Sequence, residues 1–218
     1  AMVNTLIKTN TIKGVIIRIN SGGGSMLASD RIYKAILKLK EANKTVYCSM
    51  GNVAASGGYY ISLGADKVYA NPGTITGSIG VISVIQNRER FNEIMGIETT
   101  RIKTGKYMDM MSSSRTLTQE EINMIKSLQD QHYEKFIGEV MQKRDLTRIQ
   151  IDEIAQGQLF TGEIAQQLNL VDKVGGFYAA VEDLSRELEI DTPELVLYRP
   201  EQSNLIDYIL NLFSQLIK

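Results

Sequence analysis

The sequence predicts an α/β fold, a parallel sheet with crossover helices, followed by a helical C-terminal part. Two patterns and a composition predict it. From residue 14 to about residue 103, short β-branched runs alternate with helical patterns, as right-handed crossover units require. The first run, Gly14-Val15-Ile16-Ile17-Arg18-Ile19-Asn20, has the apolar continuity of a buried parallel strand. The chain has 218 residues, of which 43% are hydrophobic and 22% charged, enough apolar material for one sizeable core. Nothing marks a linker, so residues 1–218 read as a single domain.

In chain order, Ser21-Gly22-Gly23-Gly24-Ser25 ends the first strand. A helix follows over about Met26 to Ala42, with Ile32, Ala35, Ile36 and Leu39 on one face. Thr45 to Met50 is a second strand, closed by a Gly51-Asn52 turn. Ala54 to Leu63 contains a short helix that starts at or near Ser56. Lys67–Ala70 and Val81–Ile85 read as strands, Asn87–Met95 as a helix and Glu98–Lys103 as a strand. Thr118-Gln119-Glu120-Glu121 has the form of a capping box. The helix it opens runs to about Arg144, with Ile122, Ile125, Leu128, Tyr133, Phe136, Ile137 and Val140 as its apolar positions. Short helices are expected over Ile149–Ala155 and Glu163–Leu168, and a longer one over Phe177–Leu188. Leu195–Tyr198 reads as an edge strand and Asn204–Lys218 as an amphipathic helix.

The formal net charge is -1, which gives nucleic acid no basic surface to bind. The lone Cys48 forms no intrachain disulfide and lies in a buried strand pattern, and with a single histidine as well no metal site is expected. Within these residues no transmembrane span or signal peptide is expected. The Ala1-Met2-Val3 start reads as a cloning remnant on a protein that is longer at its N-terminus.

Two segments carry chemistry. The glycine-rich turn lacks both the G-x-G-x-x-G spacing and the Lys-Ser/Thr of a phosphate loop. It is either a plain turn that needs positive φ or a source of N–H groups for an oxyanion. The second segment, Ala54-Ala55-Ser56-Gly57-Gly58-Tyr59-Tyr60, sets a serine among small residues at a strand–helix junction, the logic of a nucleophile elbow. Gly57 N–H would be its oxyanion donor. The bland alternative is close helix packing. A serine nucleophile needs a base, and the one histidine, His132, lies within the long helix at core spacing. A buried lysine with a depressed pKa is the remaining option, and Lys103-Thr104-Gly105-Lys106-Tyr107-Met108-Asp109-Met110 is the place for it.

Together these segments resemble the signal peptide peptidase A family, bacterial Ser/Lys peptidases of the Clp-protease/crotonase-like fold group. Four stretches carry the resemblance in order: Ile19–Ser25, Gly51–Tyr60, Thr76-Gly77-Ser78-Ile79-Gly80-Val81, and Gly157–Gly162 with Ala165 and Leu168–Asp172. The resemblance implies that Ser56 is the nucleophile, that Gly57 and Gly23 supply oxyanion N–H groups, and that Ser78 orients the base. The family's lysine falls where this chain has Met108, and the family's proline where it has Gly22. Methionine matches lysine in length but accepts no proton. The chain is therefore expected to be inactive, either by a Lys→Met replacement or as a natural pseudo-enzyme, with Lys106 as the alternative base after a loop shift. No cofactor is implied. The implied substrates are remnant signal peptides or other apolar extended peptides. The implied assembly is a ring-like homo-oligomer with active sites near subunit interfaces. The implied location is the bacterial membrane, with the catalytic domain on the extracytoplasmic side and an anchor N-terminal to this chain. A crotonase-like acyl-CoA enzyme and a non-cleaving peptide scaffold are the competing readings.

Overall fold

The computed structural model describes residues 2–198. A short helix α1 (Met2–Lys8) precedes β1 (Gly14–Ser21), α2 (Met26–Glu41), β2 (Thr45–Ala55), α3 (Gly57–Ser62) and β3 (Lys67–Ala70). Then come β4 (Ile75–Gly77), α4 (Glu89–Ile94), α5 (Gln119–Arg144), α6 (Arg148–Ile154), β5 (Leu159–Thr161), α7 (Gly162–Gln167), β6 (Lys173–Val174) and α8 (Phe177–Glu187). The amphipathic tail expected over Asn204–Lys218 lies outside the described residues.

The sheet is built around β2. Strand β1 runs parallel along the length of one edge, from Gly14 opposite Thr45 to Ser21 opposite Ala54. The other edge is shared in succession by β3, opposite Tyr47–Ser49, and β4, opposite Val53–Ala55, both parallel. Strand β6 extends β3 in parallel, and β5 pairs antiparallel with β4. The expected parallel sheet with crossover helices is therefore present, with one antiparallel edge.

Gly51-Asn52 is not a turn. Strand β2 passes through it, and the register against β1 shifts between Ile19 and Ser21. Extra residues on one strand of a pair make a bulge that bends the strand and re-aims its far end. Asn20 repairs the break, its Oδ1 accepting Val53 N–H at 3.1 Å.

Three expected strands, Val81–Ile85, Glu98–Lys103 and Leu195–Tyr198, have no regular structure. Their β-branched content is real, but among the described residues no strand pairs with them to complete a ladder, and strand propensity is mostly a measure of fit to such neighbours. Residues 82–106 are almost wholly exposed. The core instead gathers Val46, Cys48, Met50, Ala54, Tyr59, Tyr60 and Val68 of the sheet region with Phe136, Ile137 and Val140 of α5. Only the C-terminal half of α5 enters it; Leu128 is exposed. Capping boxes start both α5, at Thr118 and Glu121, and α6, at Thr147 and Gln150. Cys48 is buried, and burial pushes its thiol up to about 12, so it is an inert core residue. Among the described residues, no helix is long and apolar enough to cross a membrane.

Candidate active site

Strand β2 delivers Ser56 to the edge of the core, and α3 begins immediately after it. Ser56 takes φ 51° and ψ −121°, a positive-φ conformation outside the αL region and rare for a side-chain-bearing residue. Two backbone bonds hold it there. Ser56 N–H donates to Gly77 O at 2.9 Å, and Ser56 O accepts Tyr60 N–H at 2.9 Å. The two tyrosines of α3 anchor it from below. Tyr59 OH donates to Leu170 O at 2.9 Å, and Tyr60 OH donates to Asp30 Oδ1 at 3.1 Å. Tyr60 also meets Phe136 and Tyr33 edge-on, with ring centroids 5.1 and 5.3 Å apart.

The glycine-rich turn folds directly over this serine. A Cβ on Gly23, whose φ is 102°, would lie 2.7 Å from Gly57 N and 2.8 Å from Ser56 Cβ. A Cβ on Gly57 would lie 2.5 Å from Ser29 Oγ, and one on Gly58 would lie 2.5 Å from Ser21 O. The glycines are thus required for two backbones to approach the serine closely. Gly57 N–H is the first amide after the serine, at the start of α3. Gly23 N–H donates to Ser21 Oγ at 3.2 Å, a contact that an oxyanion would have to replace.

Ser78 follows β4, one residue after Gly77, whose carbonyl accepts Ser56 N–H. It too has positive φ, 50°, and its N–H donates to Gln158 O at 2.6 Å. Thr76 Oγ1 donates to Ala54 O at 2.7 Å and binds β4 to the strand that carries Ser56.

Met108 and Lys106 sit elsewhere, on the 101–118 segment against the first turn of α5. The described hydrogen bonds and ion pairs do not join that segment to Ser56. Met108 is 73% exposed. Lys106 Nζ donates to the Glu120 carboxylate, and that bond, with Tyr107 and the charge of Glu120, raises its pKa. A general base needs the opposite shift. His132 lies half-buried in the middle of α5.

Sequence reasoning missed the support beneath the serine. Asp30 is 7% exposed on α2 and collects Tyr60 OH, Lys34 Nζ and Lys135 Nζ. Burial by itself would raise its pKa, but the hydrogen bonds from Lys135, Lys34 and Tyr60 outweigh it and hold the carboxyl at about 2. The paired Tyr59-Tyr60 in an apolar helix was the available signal, because two buried phenol groups require two partners.

Residues 38–191 match Peptidase family S49. The chain belongs to this family. It is 42% identical over 161 residues to slr0021 of Synechocystis sp., a protein named as a protease, covering 74% of this chain and 58% of that one. It is 37% identical to Protease 4 of Salmonella typhi, over 89% of this chain and 31% of the relative. It is 34% identical to the chloroplastic serine protease SPPA of Arabidopsis thaliana, over 82% and 26%. This S49 chain thus spans just over half the length of the first relative and about a third or less of the other two. Its fold is similar to that of a ClpP1 mutant from Listeria monocytogenes, with a TM-score of 0.54 over 83% of this chain and 87% of that one, at 16% identity. The expected Clp-protease-like architecture is the one observed.

Proposed function

We propose that this S49 chain forms one catalytic unit of the Ser/Lys endopeptidase type, acting on remnant signal peptides or other apolar peptides bound in extended form. The observation that carries the reading is the backbone of Ser56, held at positive φ with Gly57 directly after it and the turn at Gly23 packed closely against both. A carbonyl attacked by Ser56 Oγ would develop its negative charge beside Gly57 N–H and the turn at Gly23. A neutral lysine amine at position 108 would take the Ser56 proton and return it to the leaving amine. Ser78 would orient that amine. Met108 has no lone pair basic enough for the task, so the chain as written holds peptide without cutting it.

The exposed 82–111 segment carries Ile82, Val84, Phe91, Ile94, Ile102, Met108 and Met111 in contact with water. Apolar exposure on this scale fits a surface covered by further copies of the chain. A ring of copies would bring position 108 of one to a subunit boundary near Ser56 of another. Membrane attachment, on the extracytoplasmic side, would come from sequence N-terminal to residue 1.

The test is Met108→Lys with an apolar peptide substrate. Cleavage is expected in the variant and none in the present chain. Cleavage by the present chain that disappears on Lys106→Ala would overturn the assignment of position 108. Saturable binding of an acyl-CoA, with no cleavage by either protein, would favour the crotonase-like reading.

A further inference from the structure

The segment that bears residue 108 is fastened on both sides of that residue to a single helical turn. Before it, Lys106 Nζ and Tyr107 OH both donate to the Glu120 carboxylate. After it, Asp109 receives Arg115 Nε at 2.8 Å and Nη2 at 3.0 Å. The same guanidinium donates from Nη1 to Glu121 Oε2 at 2.8 Å and from Nη2 to Oε1 at 2.5 Å. Glu121 is 2% exposed, and its carboxylate also takes Thr118 N–H at 2.8 Å in the capping box of α5. Lys103 Nζ adds a bond to Asp109 at 2.8 Å. Within the loop, Met110 N–H reaches Tyr107 O and Ser112 N–H reaches Asp109 O, both at 3.0 Å.

Met108 itself projects into solvent from this fixed backbone. A rigid backbone under an outward-facing side chain is the arrangement that delivers a group to a defined place. Arginine suits the hub because its planar fork meets one carboxylate on each of two edges, which a lysine cannot do. The two glutamates belong to α5, whose other half is packed in the core, so the fastening ties position 108 to the body of the molecule.

We infer that Arg115 is a positioning residue for position 108, acting through Asp109 on one side and Glu121 on the other. This rests on the reading above that position 108 is the base position.

Hydrogen exchange of the amides of residues 105–112 tests it in the chain as it stands. Arg115→Met is expected to speed exchange there by about tenfold or more while the β2 amides keep their rates, since only local opening is altered. Arg115→Lys is expected to recover only part of the protection. Unchanged exchange in the loop would overturn the proposal, and so would acceleration that extends to β2, which marks a general stabiliser. A kinetic arm uses the Met108→Lys background. There Arg115→Met is expected to lower kcat by roughly 10- to 100-fold with KM nearly constant, as misplacement of a catalytic group does. A raised KM with unchanged kcat would overturn it. Should Met108→Lys fail to cleave, the reading of position 108 falls, and the exchange result still decides whether Arg115 holds the loop.

Discussion

At Ser56 the backbone is held where a side-chain-bearing residue costs about 1–3 kcal/mol, and the glycines opposite let that conformation exist. Gly22 and Gly23, adjacent in the turn, have opposite tolerances. Gly23 has φ 102°, and a Cβ there would press on Gly57 N. Gly23→Ala is therefore expected to destabilise the fold by about 1–2 kcal/mol and, in the Met108→Lys background, to lower kcat by roughly 100-fold through a covered N–H donor. Gly22 is outside the positive-φ set, and a Cβ there meets nothing within 4 Å. Gly22→Pro is expected to stabilise by about 0.4–1 kcal/mol by restricting the unfolded chain. Urea unfolding of the two variants distinguishes them, and shifts of the same sign would contradict this account of the turn.

At the scale of elements, the site stands on the contact between α2 and α3. Asp30 of α2 holds Tyr60 of α3, the helix that begins directly after Ser56. The folded pKa of Asp30 lies below its unfolded value of about 3.9, so its stabilisation is full above about pH 4 and is lost as the pH falls towards 2. The shift corresponds to roughly 2 kcal/mol. Asp30→Asn is expected to remove that part of the acid sensitivity, measured as the slope of unfolding free energy between pH 4 and 2; an unaltered slope would refute the role. Asp30 was not legible in the sequence because a single acid on an amphipathic helix looks like any solvated charge. The junction at Ser56 and Gly57 and the glycine turn were legible because small residues flanking a serine between strand and helix have few other uses. Strand β1 and the helices α2, α5 and α8 were legible from period and capping. Strands β4, β5 and β6 were not, since two or three residues carry no periodicity, and each forms by joining the edge of another strand: β4 on β2, β5 on β4 and β6 on β3. The failure at Val81–Ile85 is the converse case: strand-like residues with no edge to join.

At the scale of the molecule, the described chain has a well-packed sheet body and a largely exposed part formed by residues 82–118 and the first half of α5. This part is cross-linked internally, with Arg88 N–H bonded to Ser113 O at 2.7 Å and Glu89 accepting both the N–H and hydroxyl of Thr116, and it joins the core through the C-terminal half of α5. Its outward apolar side chains predict self-association. In sedimentation velocity the chain is expected to run as an oligomer, and Ile82→Ser with Ile94→Ser to shift it towards monomer while the far-UV spectrum stays unchanged. A monomeric parent at tens of micromolar would count against a ring. A different consequence comes from the way β2 changes partner. Between Ser49, the last residue opposite β3, and Val53, the first opposite β4, that edge has no strand beside it. Thr74 Oγ1 donates instead to Gly51 O at 2.7 Å, and Asn71 Nδ2 to Met50 O at 3.5 Å. The sheet is in effect creased, with two side chains as its stitches. Ser56 and the β4–β5 pair lie on one side of the crease, and β3, β6 and α8 on the other. Strand β1, paired from Gly14 opposite Thr45 to Ser21 opposite Ala54, spans the crease on the other edge and keeps the two halves in one sheet.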